Sequence, residues 1–266
     1  MTREHILAEA QRLDQAERNR QQVEATTMTF PDMTIDDAYE IQKTWMELKQ
    51  LTGRKVVGHK IGLTSRAMQK NMGIDEPDFG CLLDDMVFEE GSTITASDFL
   101  DPKIEVELAF VLKKELKGDN LTIEDVLAAT DYVIPALELI AARSYRTHPK
   151  TGYRRTVKDT ISDNAANAGI ILGGRRVKPD ELDLRWVGAM MSRNGVIEES
   201  GVSGAVLNHP ANGVAWLAKK YTAHNVTLEP GQIILAGSFT RPVNVRAGDE
   251  FLVEYGKMGS ISCSFK

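Results

Sequence analysis

Cysteine is scarce in this chain: Cys81 and Cys263 are the only two among 266 residues. Two cysteines make no disulfide framework, and a chain of this length buries enough core to fold without one. Both read as ordinary thiols in a reducing compartment. Long apolar runs are missing as well. None approaches the ~20 residues that span a bilayer. The opening stretch, MTREHILAEAQRLDQAERNRQQ, is charged throughout, where a signal peptide would carry an apolar core. The expectation is a cytoplasmic protein with no membrane partner. Positive charge is not in excess either: 32 Lys and Arg stand against 38 Asp and Glu, a formal net charge of −6. That balance argues against nucleic acid as a partner. Internal repeats and low-complexity tracts are also lacking.

What is present divides into two textures. Residues 3–25 carry Ile6, Leu7, Ala10, Leu13 and Ala16 at three- and four-residue spacings, which predicts an amphipathic helix. A second helix is expected from Thr34, whose hydroxyl can cap the free amides with Asp37 three residues on. Tyr39, Ile41, Trp45, Leu48 and Leu51 supply its apolar stripe, and Gly53 offers a stop. After residue 53 short β-like runs dominate: RKVVGHKIGL, CLLDDMVF, PKIEVELAFVL, DYVIPALELI, AGIILGG, DLRWVGAMMSRNGVIEES, GQIILAGSF and EFLVEYG. Asn194-Gly195 marks a hairpin turn, because a type I′ turn needs positive φ at both central residues. Helices interrupt the strands after Thr122 and after Pro210. Without regular β-α alternation, the pattern predicts an α+β fold around a rolled or barrel-like sheet. The expected organisation is a helical segment over 1–53 and a catalytic domain over 54–266.

In PKIEVELAFVL, alternation puts Ile104, Val106, Leu108 and Phe110 on one face and Glu105, Glu107 and Ala109 on the other. Two carboxylates then project side by side. They must be solvated, matched by cations or coordinated, because buried like charges repel and lose hydration. A solvent-exposed sheet face is the bland reading. Against it stands Glu138, set among Val133, Ile134, Ala136, Leu137, Leu139 and Ile140, where an unpaired carboxylate is costly. Three carboxylates on two apolar strands suggest one site for a hard divalent ion such as Mg²⁺ or Mn²⁺.

GHKIGLTS places Lys60 between Gly58 and Gly62, with His59 on the opposite face. Lys60 is either an anion contact and proton-transfer group or a stem covering apolar surface. Asp78, before an aromatic and a glycine, is a proton-transfer carboxylate on a loop or a turn former. Gly237 to Thr240 end an apolar run with hydroxyls and free amides suited to a carboxylate ligand. ARSYRTHPKTGYRRTVKD concentrates Arg143, Arg146, His148, Lys150, Arg154, Arg155 and Lys158. It is a solvated loop or a clamp for a second carboxylate.

Taken together, GHKIGLTS at 58–65, KIEVELAFVL, VIPALELI, ISDNAANAG at 161–169 and PGQIILAGSFT at 230–240 resemble the hydratase/decarboxylase branch of the fumarylacetoacetate hydrolase superfamily, from about residue 30 onward. The resemblance implies a mixed β roll, a metal held by Glu105, Glu107 and Glu138, and Lys60 as active-site lysine. It puts Asp78 with Lys60 in catalysis and Leu83, Ser162 and Ser238 in segments lining the pocket, with Arg143 in the stretch that would reach a distal carboxylate. The activity implied is addition of water to a 2-oxo dicarboxylate, 2-oxohept-4-ene-1,7-dioate, in aromatic meta-cleavage catabolism. The alternatives are decarboxylation of 2-oxohex-3-enedioate, hydration of 2-hydroxypentadienoate, C–C hydrolysis of an acylpyruvate, and a non-catalytic partner of a pathway enzyme. Relatives of this kind assemble as homo-oligomers, which is the expectation here too.

Overall fold

The computed structural model describes residues 1–224 and 226–266. Its helices are α1 (Arg3–Asn19), α2 (Thr26–Thr29), α3 (Ile35–Leu51), α4 (Arg66–Met72), α5 (Ile123–Ala129), α6 (Val157–Ser162) and α7 (Pro210–Ala223). Its strands are β1 (Val56–Gly62), β2 (Asp78–Leu83), β3 (Val87–Glu89), β4 (Thr93–Ile94), β5 (Lys103–Leu112), β6 (Thr130–Ile140), β7 (Asn167–Leu172), β8 (Gly188–Arg193), β9 (Val196–Val202), β10 (Ile233–Leu235), β11 (Val243–Asn244), β12 (Glu250–Glu254) and β13 (Ser260–Phe265). The α+β class is as expected.

Local signals account for many boundaries. Thr34 and Asp37 form the capping box that starts α3, and a second box, Thr122 with Asp125, starts α5. Asn194 and Gly195 adopt φ of 54° and 78° in the turn joining β8 to β9. Other expectations are corrected. The first helix stops at Asn19 rather than 25, because Arg20 turns left-handed and its N–H bonds back to Ala16 and Glu17. The chain beyond is then free for Val23 to pair with Arg143 and Tyr145. The end of the supposed arginine loop is helical, since α6 begins there at Val157. There Asp159 accepts from the Thr156 N–H and hydroxyl, the cap that the residues TVKD encode. The alternating SISCSF forms a further strand, β13, whose Ile261, Cys263 and Phe265 are buried.

The run CLLDDMVF is not one strand. Asp84–Met86 form a short 3₁₀ turn between β2 and β3. The larger sheet runs β2-β1-β10-β5-β6-β7-β3, with β11 also on β5. Its two edge strands, β2 and β3, are thus joined by only three residues, a reach of about 10–14 Å. A flat sheet this wide cannot satisfy that link, so it curls until its edges approach and forms a roll. The smaller sheet, β4-β13-β12-β8-β9, packs against it.

Each strand of the roll has two environments. Outward, Ile104, Val106, Leu108 and Phe110 join Ile61, Leu137, Ile171, Val253, Ile261 and α7 in the main core. Inward, Leu82, Ala109, Ile134, Ala136, Ile170 and Leu235 plug one end of the roll. At about 25 cal/mol per Å² of apolar surface, each fully buried Leu or Ile on the outward face contributes roughly 1.5–3 kcal/mol. The helices α1, α3 and α6 close another side around Leu13, Ile41, Trp45, Leu83 and Ile161.

Candidate active site

The inward face beyond the apolar plug carries charge. In the antiparallel β5–β6 ladder Glu105 lies directly opposite Glu138, and Glu107 opposite Ala136. Lys60 pairs in register with Gly80 of β2 and Leu235 of β10, and Gly62 with Asp78. Pairing alternates faces in step, so Lys60, Asp78, Glu105, Glu107 and Glu138 all look into the roll.

One oxygen from each of Glu105, Glu107 and Glu138 lies within 4.8 Å of the others. Glu107 and Glu138 are buried, and Glu105 partly so. Lys60 Nζ sits 3.2 Å from Glu138 Oε1 and donates to the Ala165 carbonyl at 3.0 Å. The Gly237 N–H donates to Glu107 Oε2 at 2.8 Å, and Asn167 Nδ2 to Glu138 Oε1 at 2.8 Å. Three oxygens here, Asp78 Oδ1, Glu138 Oε2 and Asn167 Oδ1, are buried with no hydrogen-bond partner among the described residues. One lysine cannot balance so many carboxylates. Burial, then repulsion from Glu138, raises the Glu105 pKa to about 7 and pushes that of Glu107 well above the usual range. A divalent cation relieves both conditions, filling the orphaned lone pairs and removing the repulsion, so the residues fit a hard metal ion.

Burial works against the charge on Lys60, but Glu138, Asp78, Glu105 and Glu107 outweigh it and hold the ammonium above its ordinary pKa. Asp78 is wholly buried beside it, and desolvation raises its pKa to about 6 despite Lys60. The two groups meet over Gly62, where a Cβ would lie 2.3 Å from Asp78 Oδ1 and 3.0 Å from Lys60 Nζ. Only glycine leaves that space open. Asp78 was expected on a loop; it begins β2. His59 faces away, bonded to Tyr221 Oη at 2.8 Å, and burial lowers its pKa to about 3.

The remaining expected residues lie at different depths. Ser238 follows the amide that holds Glu107, and its hydroxyl bonds the carbonyls of Val106 and Thr240. Leu83 and Ser162 have no accessible surface. Leu83 packs under the N-terminal helices, and Ser162 donates to the Lys158 carbonyl. Arg143 is also buried. Its Nε pairs with Asp163, its Nη2 bonds the Asp163 and Asn167 carbonyls, and its guanidinium lies 5.1 Å above the Trp45 ring.

Sequence reasoning missed Asn167, Asp163 and the turn between them. Asn164, Ala165 and Ala166 have φ of 52°, 49° and 63°, a left-handed run that costs roughly 1–2 kcal/mol per non-glycine residue. Asn164 locks it to β2 by bonding both the N–H and the carbonyl of Cys81. The strain aims the Ala165 carbonyl at Lys60. The signal was the polar SDN set between apolar residues in ISDNAANAG, but nothing local in alanine announces positive φ.

A curled mixed sheet enclosing three convergent carboxylates and a buried lysine defines a metal-dependent enzyme of the α+β class. The model of the "Fumarylacetoacetate (FAA) hydrolase C-terminal" family matches residues 52–266, and the chain belongs to that family. It is 64% identical, over 96% of each chain, to the 2-oxo-hept-4-ene-1,7-dioate hydratase of Escherichia coli. It is 37% identical to the 4-oxalocrotonate decarboxylase of Pseudomonas sp. (strain CF600), over 100% of this chain and 98% of that one. Among solved structures, 4-oxalocrotonate decarboxylase from Pseudomonas putida G7, complexed with magnesium and adipate, superposes with a TM-score of 0.95 at 37% identity, covering 100% of this chain and 99% of that one.

Proposed function

We propose that this chain is a hydro-lyase that adds water to 2-oxohept-4-ene-1,7-dioate to give 4-hydroxy-2-oxoheptanedioate, with Mg²⁺ as its metal. The observation that carries the reading is the cage of Glu105, Glu107 and Glu138 with Lys60 and Asp78 beside it, in a chain 64% identical to the hydratase of that name. Mg²⁺ is supported by the all-oxygen cage and by the magnesium in a neighbour of the same fold.

When bound, the ion would supply electrophilic polarisation of the 2-oxo group. The chain's own residues do the rest. Asp78, with a pKa near 6, takes a proton from C3 of the substrate and returns one at C5, so the double bond moves from C4–C5 into conjugation with the ketone. Water then adds its oxygen at C4 and a proton at C3. Lys60 keeps its charge throughout and offsets the negative charge that grows on the 2-oxo oxygen. The apolar plug of Leu82, Ile134 and Leu235 excludes bulk water from the inner end.

The likeness to 4-oxalocrotonate decarboxylases favours one second reading: loss of CO₂ from 2-oxohex-3-enedioate at the same cage. Product mass separates the two. With Mg²⁺ present, the protein should add one water to the seven-carbon diacid and lose that ability on chelation. Release of CO₂ from the six-carbon diacid, with no hydration, would establish the decarboxylase instead. Inertness toward both would leave a non-catalytic partner.

We also propose a cytoplasmic location, supported by the two unpaired thiols, and self-association. Trp186, Met190, Val196, Ile197, Val202 and Leu252 expose apolar surface around the smaller sheet, which suits a second copy of the chain. Light scattering of the purified protein tests this: a monomer at all concentrations would refute it.

A further inference from the structure

The bond from Asn167 to Glu138 depends on an irregularity in the sheet. In the β6–β7 ladder Glu138 pairs with Ile170 and Leu139 with Gly169, but Ile140 then pairs with Asn167, so Ala168 is an extra residue, a bulge. Paired residues share a sheet face. Unbroken register would set Ala168 opposite Ile140, on the face of Glu138, and turn Asn167 the other way. The bulge instead aims Asn167 into the roll. Its backbone is braced there. The Asn167 carbonyl accepts from Arg143 Nη2 at 3.0 Å, and Arg143 is paired with Asp163. The Ala166 carbonyl just before it accepts from the Ala141 N–H at 2.8 Å.

Asn167 has no accessible surface, and its side chain can meet Glu138 in one orientation only. A carboxylate accepts and does not donate, so the amide must turn Nδ2 toward Glu138 Oε1, as it does at 2.8 Å. Lys60 Nζ lies 3.2 Å from that same oxygen. Both nitrogens thus fall on Oε1. Glu138 Oε2 and Asn167 Oδ1 are left buried without a partner among the described residues. Such atoms are rare in folded proteins and call for a ligand. Oε2 fits the cation itself. Oδ1 fits an O–H donor, which hydrated Mg²⁺ carries, because that ion keeps several of its waters in a protein site.

We propose that Asn167 is a positioning residue that holds Glu138 by Oε1, leaves only Oε2 to the metal, and so biases the cage toward Mg²⁺ and against Ca²⁺. The proposal rests on the functional reading above only in taking the cage to be a divalent metal site; it is independent of the reaction run there. Mg²⁺ demands a tight octahedron, whereas Ca²⁺ takes more ligands in looser geometry and accepts a carboxylate through both oxygens. A glutamate pinned by one oxygen offers the first arrangement and withholds the second. The partner behind a ligand thereby tunes the metal that the ligand prefers.

The experiment is calorimetric titration of the metal-free protein with magnesium chloride and, separately, with calcium chloride. Asn167→Leu, close to asparagine in size, should weaken Mg²⁺ by about 10–100-fold, the usual effect of losing such a partner. Ca²⁺ should weaken much less, because it can take both oxygens of the freed Glu138. Asn167→Ser, too short to reach Glu138, should show the same change and keeps the test readable if leucine is not accommodated. Thr130→Val serves as control: Thr130 is equally buried at the far end of β6, where its hydroxyl bonds the Val126 carbonyl at 2.7 Å. It should leave both affinities unchanged. Wild-type Mg²⁺ affinity in the folded Asn167 variants, equal losses for the two ions, or a matching loss in Thr130→Val would overturn the role of Asn167. A wild type that binds neither ion would instead sink the metal reading itself, and this proposal with it.

Discussion

Lys60 Nζ lies between two acceptors of opposite origin: Glu138 Oε1 at 3.2 Å, from the middle of the sheet, and the Ala165 carbonyl at 3.0 Å, from a left-handed turn. The carboxylate sets the charge state of the ammonium and the carbonyl sets its direction.

Replacing Lys60 by Met should therefore lower kcat by about 10²–10⁴-fold, the usual contribution of a positioned proton-transfer or charge-stabilising group. Metal binding should persist, because the three carboxylates are untouched. Parallel measurement of turnover and metal occupancy decides it. Near wild-type turnover at full occupancy would remove Lys60 from the mechanism.

Metal removal should change how stability responds to pH. In the metal-free protein Glu105 titrates at about 7, raised from an ordinary 4.5, so between those values the folded state binds more protons than the unfolded one. Stability is then lost as pH rises through that window. Bound metal displaces the protons and cancels the effect. The difference in Tm between metal-loaded and metal-free protein should widen from pH 4.5 to 7; a constant difference would show that the cage is not strained by its own charge.

His59 should behave in the opposite sense. Its pKa is depressed to about 3 from 6.5, so the stability of the neutral buried ring is present above pH 6.5 and lost as pH falls toward 3. His59→Gln should keep turnover near wild type, since the side chain faces Tyr221 and not the cage, while flattening the acid side of the stability curve. A large loss of kcat in a folded variant would revive the hydrolase mechanism that needs a histidine base.

At Gly62 a single methyl should suffice to disable the site. A Cβ there meets Asp78 Oδ1 at 2.3 Å and Lys60 Nζ at 3.0 Å, and one of them must move. Displacements near 1 Å cost about 10²-fold in rate. Gly62→Ala should therefore lose about that factor in kcat while its far-ultraviolet circular dichroism stays unchanged. Unimpaired catalysis would mean that the space between the two groups is not used.

Much of this was written locally in the chain. Alternation in β5 alone assigned Glu105 and Glu107 to one face and four apolar residues to the other, because successive side chains must point to opposite sides of a strand. Capping pairs located α3 and α5, and Asn194-Gly195 located a hairpin, because these are contacts within a few residues. The motif set GHKIGLTS, KIEVELAFVL, VIPALELI, ISDNAANAG and PGQIILAGSFT carried the family. The tertiary structure decided what alternation cannot. Register is a long-range choice made by sheet pairing, and it is register that sets Glu138 opposite Glu105 and Asp78 beside Gly62. The short link between β2 and β3 curls the sheet and brings both edges to one site. Arg143, on sequence a candidate for the substrate's distal end, is held by Asp163 twenty residues away in sequence, and Arg155 pairs with the same carboxylate. Composition shows that a stretch is basic; only packing determines which of its charges are already paired.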